Sequence, residues 1–242
     1  MSTETRLDLH DIQGSVLKAY GRHGFPLARY VLFVVRQEEA GRSFVRSLLP
    51  KITTSAPWRK GGLVADGTAI PSATCNIAFT YHGLRELGVP RASLQSFPDE
   101  FAMGMRARQD ILGDDGPSAP DRWDPVWQRE DQVHILVWIN AQTKDALEQR
   151  YAELCALLPK EGSGVELCKG HRGPGGRTDL AYQDAAALLH DGRPTAREHF
   201  GYTDGISNPF FKGALVDEGG LVGGGKPTGL PPETRAGWEP LE

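Results

Sequence analysis

The sequence predicts an α+β fold of the ferredoxin-like kind, a split βαβ arrangement whose antiparallel sheet carries its helices on one face. Three observations predict it. The apolar residues switch between a period of two and a period of 3.6 along the chain. The period-two runs are short and rich in β-branched and aromatic residues. With an insertion at residues 57–71 and a helical segment at residues 83–113 set aside, the order is strand, helix, strand, then strand, helix, strand.

Taken in order, Tyr30 to Arg36 (YVLFVVR) reads as a buried strand. Ala40, Phe44, Val45, Leu48 and Leu49 then share one helical face that ends before Pro50. Cys75 to Thr80 (CNIAFT) is the second strand. Phe101, Met105 and Leu112 mark a helix with Ser96 as its cap and Pro98 in its first turn, ended by Gly113. Val133 to Ile139 (VHILVWI) is the third strand. Leu147, Tyr151, Leu154, Cys155 and Leu158 form an amphipathic helix capped near Thr143, and Val165 to Cys168 is a short fourth strand. The helices leave one face of such a sheet free for a second sheet or a ligand.

Composition narrows the function classes. The 242 residues carry 27 Lys and Arg against 31 Asp and Glu, a net charge of −4. A protein that grips nucleic acid through bulk charge would be more basic, so no nucleic-acid partner is expected. The longest apolar runs are far below the roughly 20 residues that span a bilayer, so no membrane span is expected. Met1 to Asp8 has neither a basic nor an apolar leader region, which predicts a cytoplasmic protein. Cys75, Cys155 and Cys168 are odd in number and contain no Cys-x-x-Cys pair, so they read as buried free thiols.

Several constellations carry less chemistry than they first suggest. Gly220-Leu-Val-Gly-Gly-Gly225-Lys226 has phosphate-loop spacing, but Pro227 stands where Ser or Thr must ligate magnesium, and it reads as a loop. The seven histidines contain no helical His-x-x-x-His pair or other zinc spacing, so no protein-only metal site is expected. His134, inside the third strand, reads as packed or hydrogen-bonded. The chain contains no Gly-x-Ser-x-Gly elbow to support hydrolase chemistry.

From Gly201 to Glu242 the chain holds ten Gly and five Pro in 42 residues, which makes this segment loop-rich. Its start, Glu198-His-Phe-Gly201-Tyr-Thr-Asp204-Gly205-Ile-Ser-Asn-Pro209, places one acidic residue between two glycines. Two readings are open on the residues alone. Asp204 bonds nearby backbone amides in a β-turn, or the glycines bring the backbone close to a flat ligand while presenting one carboxylate to it.

Here the chain resembles the dye-decolourising (DyP-type) haem peroxidases, whose fingerprint is Gly-x-x-Asp-Gly, present as Gly201-Tyr202-Thr203-Asp204-Gly205. Asp11-Ile12-Gln13-Gly14 resembles the family's opening motif. Asn76 to Leu84, and Phe97-Pro98-Asp99-Glu100-Phe101 through to Gly113-Asp114, resemble further stretches in the family's order. The resemblance implies two ferredoxin-like domains with haem b between them, of which this chain is the first. It divides the chain into an N-terminal extension (1–28), a ferredoxin-like domain (29–200), and the haem-facing loop with a Gly/Pro-rich inter-domain segment (201–242).

It also implies that Asp204 acts on the distal side of the haem. There it takes a proton from hydrogen peroxide and returns it to the leaving oxygen, while the cofactor supplies the redox chemistry. Gly201, Gly205, Ile206, Ser207 and Asn208 would line that face, and Tyr202 is the first candidate to relay electrons from an organic donor. The family's proximal histidine lies in the second domain, so the iron ligand is expected outside this chain, in a C-terminal domain or a second chain. By itself the polypeptide is expected to bind haem poorly and to tend to self-associate. The alternative is a non-catalytic ferredoxin-like module that binds a ligand or dimerises through its open sheet face.

Overall fold

The computed structural model describes residues 7–58, 68–158, 162, 164–195, 197, 199 and 202. Its centre is one antiparallel sheet of five strands: β1 (Leu27–Val35), β2 (Asn76–Phe79), β3 (Ile135–Ala141), β4 (Val165–Leu167) and β5 (Tyr182–Ala186). The first four lie in the order β2-β3-β1-β4, and β5 also pairs with β1. One edge of β1 runs along β3 from Leu27↔Ala141 to Phe33↔Ile135. The other edge is shared, β5 taking Leu27 to Val31 and β4 taking Phe33 to Val35.

Two long helices cover one face. Helix α1 (Glu38–Leu48) begins with Glu38 and Glu39, whose charges suit the positive end of the helix dipole. Helix α2 (Lys144–Cys155) is capped by Thr143, whose hydroxyl accepts from the Ala146 N–H at 3.2 Å. The alternating residues Val31, Phe33 and Val35 of β1 and Ile135, Val137 and Ile139 of β3 point to this side. They form one core with Phe44 and Leu48 of α1 and Leu147 and Leu154 of α2. The Phe33 and Phe44 rings meet at 5.0 Å between centroids. The predicted ferredoxin-like arrangement, with helices on one face, is the observed one.

The boundaries shift in places. β1 starts three residues before the expected strand, at Leu27. The helix expected from Ser96 to Gly113 is broken into Asp99–Met103, a 3-10 turn at Arg106–Arg108, and Gln109–Leu112. Gly104 causes the break: φ 74° and ψ −177° is a conformation that only glycine adopts easily. Ser96 does not cap this helix; its hydroxyl donates to the Ser93 carbonyl at 2.8 Å.

The Asp11-Ile-Gln-Gly motif closes the outer edge of β2. The Gln13 amide donates to the Ile77 carbonyl and accepts from the Ile77 N–H, both at 2.8 Å, so one side chain does the work of a neighbouring strand. The backbone follows, with the Gly14 N–H on the Thr53 carbonyl at 2.8 Å. A Cβ on Gly14 would meet the Tyr20 hydroxyl and the Thr54 carbonyl, so the position excludes a side chain.

Arg29 has the same strand parity as Val31 and Phe33 and therefore points into the helix side, where its side chain is 2% exposed. Its Nε and Nη2 donate to Asp184 of β5 at 2.7 and 2.8 Å, and its Nη1 and Nη2 to Glu148 of α2, both at 2.9 Å. The guanidinium also lies over the Tyr182 ring at 3.7 Å and the Tyr151 ring at 4.8 Å. Burial disfavours its charge, but the hydrogen bonds it donates to Asp184 and Glu148 outweigh that and raise its pKa. Glu148 is correspondingly held below the usual carboxylate range, chiefly by its bond to Arg29.

Both carboxylates are about half exposed, so each can rehydrate when its partner is removed. Arg29→Met is expected to cost about 2 kcal/mol in urea unfolding, less than the roughly 3–5 kcal/mol for a fully buried pair. Hydrogen exchange should show β5 amides losing protection while those of β3 keep theirs. Unchanged β5 protection would refute the tethering role given to Arg29.

Candidate functional site

The sheet face opposite the helices divides into two rows. The row formed by Leu32 and its cross-strand partner Leu136 is partly roofed by the chain before β3, where Val126 and Val133 are fully buried against Leu32. The next row, Tyr30 opposite Trp138, stays more open, and Tyr30 is 37% exposed. Beside the roof is a pocket of about 630 Å³. Its floor is Leu32, Ala78 and Leu136, and its walls include Tyr81, Phe101, Met105, Trp123 and Trp127.

The walls are held by local hydrogen bonds. The Trp123 indole N–H donates to the Ser118 carbonyl at 2.8 Å, and the Gln128 amide donates to the carbonyls of Asp121 and Trp123. The Thr80 hydroxyl donates to the Val133 carbonyl at 2.6 Å and accepts from the Gly83 N–H, capping the short helix Tyr81–Glu86. Glu100, Arg108 and Glu130 add the charged lining groups. Glu130 accepts from the Arg106 N–H at 3.1 Å.

Two buried histidines flank this region in different ways. His134 Nδ1 accepts from the Val35 N–H at 2.9 Å, and Nε2 donates to the Asp131 carbonyl at 3.0 Å, an arrangement that requires the neutral ring. The expectation of a hydrogen-bonded rather than metal-ligating His134 is met. His171 is 1% exposed, and neither of its ring nitrogens has a hydrogen-bond partner among the described residues. Burial pushes both imidazoles below their ordinary pKa; Asp124 opposes the shift at His171. The three cysteines are free, and burial raises the thiols of Cys75 to about 11 and Cys168 to about 12.

Most of the residues singled out in the sequence fall outside the part of the chain that the structure describes. Gly201, Asp204, Gly205, Ile206, Ser207 and Asn208 lie outside the described residues, as does Gly220 to Lys226. Tyr202 is described, and its side chain is 73% exposed. The pocket itself was not foreseen. The signal that could have found it is the four-residue spacing of Phe101 and Met105 and of Trp123 and Trp127, aromatic and thioether side chains placed in segments with no regular strand or long helix.

Residues 11–174 match the family model described as the DyP dimeric alpha+beta barrel domain. The chain belongs to this family. The DyP-family chain is 25% identical over 210 residues to the dye-decolorizing peroxidase of Mycena epipterygia, covering 86% of this chain and 33% of that protein. It is 26% identical over 211 residues to peroxidase 2 of Mycetinis scorodonius, covering 86% and 34%. The chain thus spans about a third of the length of these relatives.

Its fold is also that of a solved ancestral D-type dye-decolorizing peroxidase, with a TM-score of 0.60, 24% identity, and coverage of 89% of this chain and 44% of that one. A variant of the dye-decolorizing peroxidase from Pleurotus ostreatus gives a TM-score of 0.58 at 20% identity, covering 98% and 48%. Among the described residues no helix is long and apolar enough to cross a membrane.

The histidines generate a pH dependence. Both folded-state pKa values lie below the ordinary 6.5, so the folded chain binds fewer protons than the unfolded one as pH falls. Stability is expected to be flat above about pH 7, then to fall as pH drops through about 6.5 toward the depressed folded values. His171→Leu should reduce this slope with little loss of stability at pH 7, because it replaces an unpaired buried polar group. His134→Leu should be destabilising at every pH, since it strands the Val35 N–H and the Asp131 carbonyl. Urea titrations at pH 5, 6 and 7.5 test both, and an unaltered slope in both variants would refute the assignment.

Proposed function

We propose that this chain is the N-terminal part of a haem-dependent peroxidase that reduces hydrogen peroxide and oxidises dyes or phenolic donors. One observation carries the reading: the family match over residues 11–174 is followed closely by Gly201-Tyr-Thr-Asp204-Gly205. The peroxidase names of the relatives support it. In this reading haem b, when bound, supplies the redox chemistry. Asp204 moves the proton: as a carboxylate it accepts one from hydrogen peroxide, and as an acid it gives it to the departing oxygen. Gly201 and Gly205 let the backbone approach the ring plane, and Ile206, Ser207 and Asn208 face it. Tyr202, with its exposed ring, is the proposed surface relay for donors too large to enter.

Five of the seven described histidines are poorly placed as axial ligands: His134 commits both ring nitrogens to backbone groups, His171 is sealed, and His10, His190 and His199 are exposed. His82 lines the pocket with its Nδ1 buried and unpartnered among the described residues, and it is the histidine that haemin addition to this chain tests. In this reading the axial ligand comes from elsewhere. A second ferredoxin-like domain, or a second chain, is the proposed source. In the assembled protein, Asp204→Asn is expected to slow peroxide consumption by roughly 10²–10⁴-fold while the resting haem spectrum stays unchanged. Near-normal turnover would remove Asp204 from the mechanism. For the 242-residue chain, adding haemin should give no strong, shifted Soret band; a band that responds to peroxide would place an axial ligand within this chain. The second reading, a non-catalytic ligand-binding or dimerisation module, draws on the open Tyr30–Trp138 row and requires that the assembled protein show no haem-dependent turnover.

A further inference from the structure

One lining group of the pocket is used neither by the fold nor by the proposed peroxidase chemistry. Arg108, at the end of the 3-10 turn Arg106–Arg108, is partly buried in the pocket wall. Its guanidinium makes no hydrogen bond, ion pair or ring contact among the described residues. Neighbouring arginines are engaged: Arg106 donates to the Gln128 carbonyl at 3.1 Å and Arg129 to the Lys169 carbonyl at 3.3 Å. The two carboxylates of the lining do not pair with Arg108. Glu130 accepts from the Arg106 N–H, and Glu100 is exposed on the first turn of Asp99–Met103.

We propose that this pocket binds a flat aromatic monoanion of the aryl-carboxylate class, with its rings between the aromatic wall and the sheet floor and its carboxylate on Arg108. The volume of about 630 Å³ lies within the roughly 300–1,000 Å³ of small-molecule sites, and the wall of Phe101, Trp123 and Trp127 suits a planar ring. A guanidinium in apolar surroundings gains most from a carboxylate that meets its planar fork. Glu100 and Glu130 set the charge limit, since a second negative group on the ligand would face them. The floor is reached through a recess, which a small ring enters and a flat protein surface does not. This inference does not rest on the peroxidase reading.

The test is titration of the 242-residue chain with 2-naphthoate and with its uncharged isostere 2-naphthamide, followed by tryptophan fluorescence and calorimetry. Naphthoate should bind with one-to-one stoichiometry and about tenfold or more tightly than the amide. Arg108→Gln should erase that preference while leaving amide binding unchanged. Ala78→Phe from the floor and Ala102→Phe from the opposite wall should each weaken both ligands, so a folding defect in one variant leaves the other to decide. Ile111→Ser, on the exposed surface, should change nothing. No saturable binding up to millimolar ligand, equal affinity for acid and amide, indifference to both filling variants, or loss of binding in Ile111→Ser would each overturn the proposal.

Discussion

Strand β1 must be satisfied on two edges and two faces at once, and the molecule is organised by how this is done. β3 covers one edge without interruption. The other edge is divided between β4 and β5, two short strands that reach β1 from far along the chain. Short strands of this kind have little stability alone. β4 is held by Val165 in the main core. β5, with the sequence Tyr-Gln-Asp-Ala-Ala, has few residues that favour a strand; its ladder to β1 and Tyr182 against the core are joined by Arg29, whose charge is tolerated inside because Asp184 and Glu148 meet it.

The two faces of the sheet then divide the work. The helix face is closed by large apolar side chains in alternating register and is the stability reserve of the domain. The opposite face is only partly closed, because the segment before β3 is a series of short turns rather than a helix long enough to lie across the sheet. Its aromatic side chains roof the Leu32–Leu136 row and leave a recess beside it. Among the described residues, this is the less covered face of the sheet.

Much of the fold was legible in the sequence for a physical reason: alternation along β1 and β3 and the helical spacing of Leu147, Tyr151 and Leu154 are local patterns imposed by which face is buried. Thr143 as a cap was readable for the same reason. The helix expected over Phe101 to Leu112 failed because apolar spacing says nothing of Gly104, whose backbone conformation ends the first turn. β5 was missed because its propensity is weak and its partner, Arg29, lies far away in sequence. The pocket was missed because its walls come from several short turns and helices that meet only in the folded chain.

By itself, then, the sequence determined the ferredoxin-like class, the order of its main elements, the packed or hydrogen-bonded character of His134 and the motifs that resemble the DyP family. These depend on patterns within a few residues or on short fingerprints. Tertiary structure alone decided that Gln13 completes the edge of β2, that Arg29 binds β5 and α2 to β1, and that Arg108 stands unpaired among the described residues in an aromatic recess. Each is a meeting, or a failure to meet, between groups distant along the chain. Such contacts exist only after the core has folded and set which side chains come within hydrogen-bonding reach.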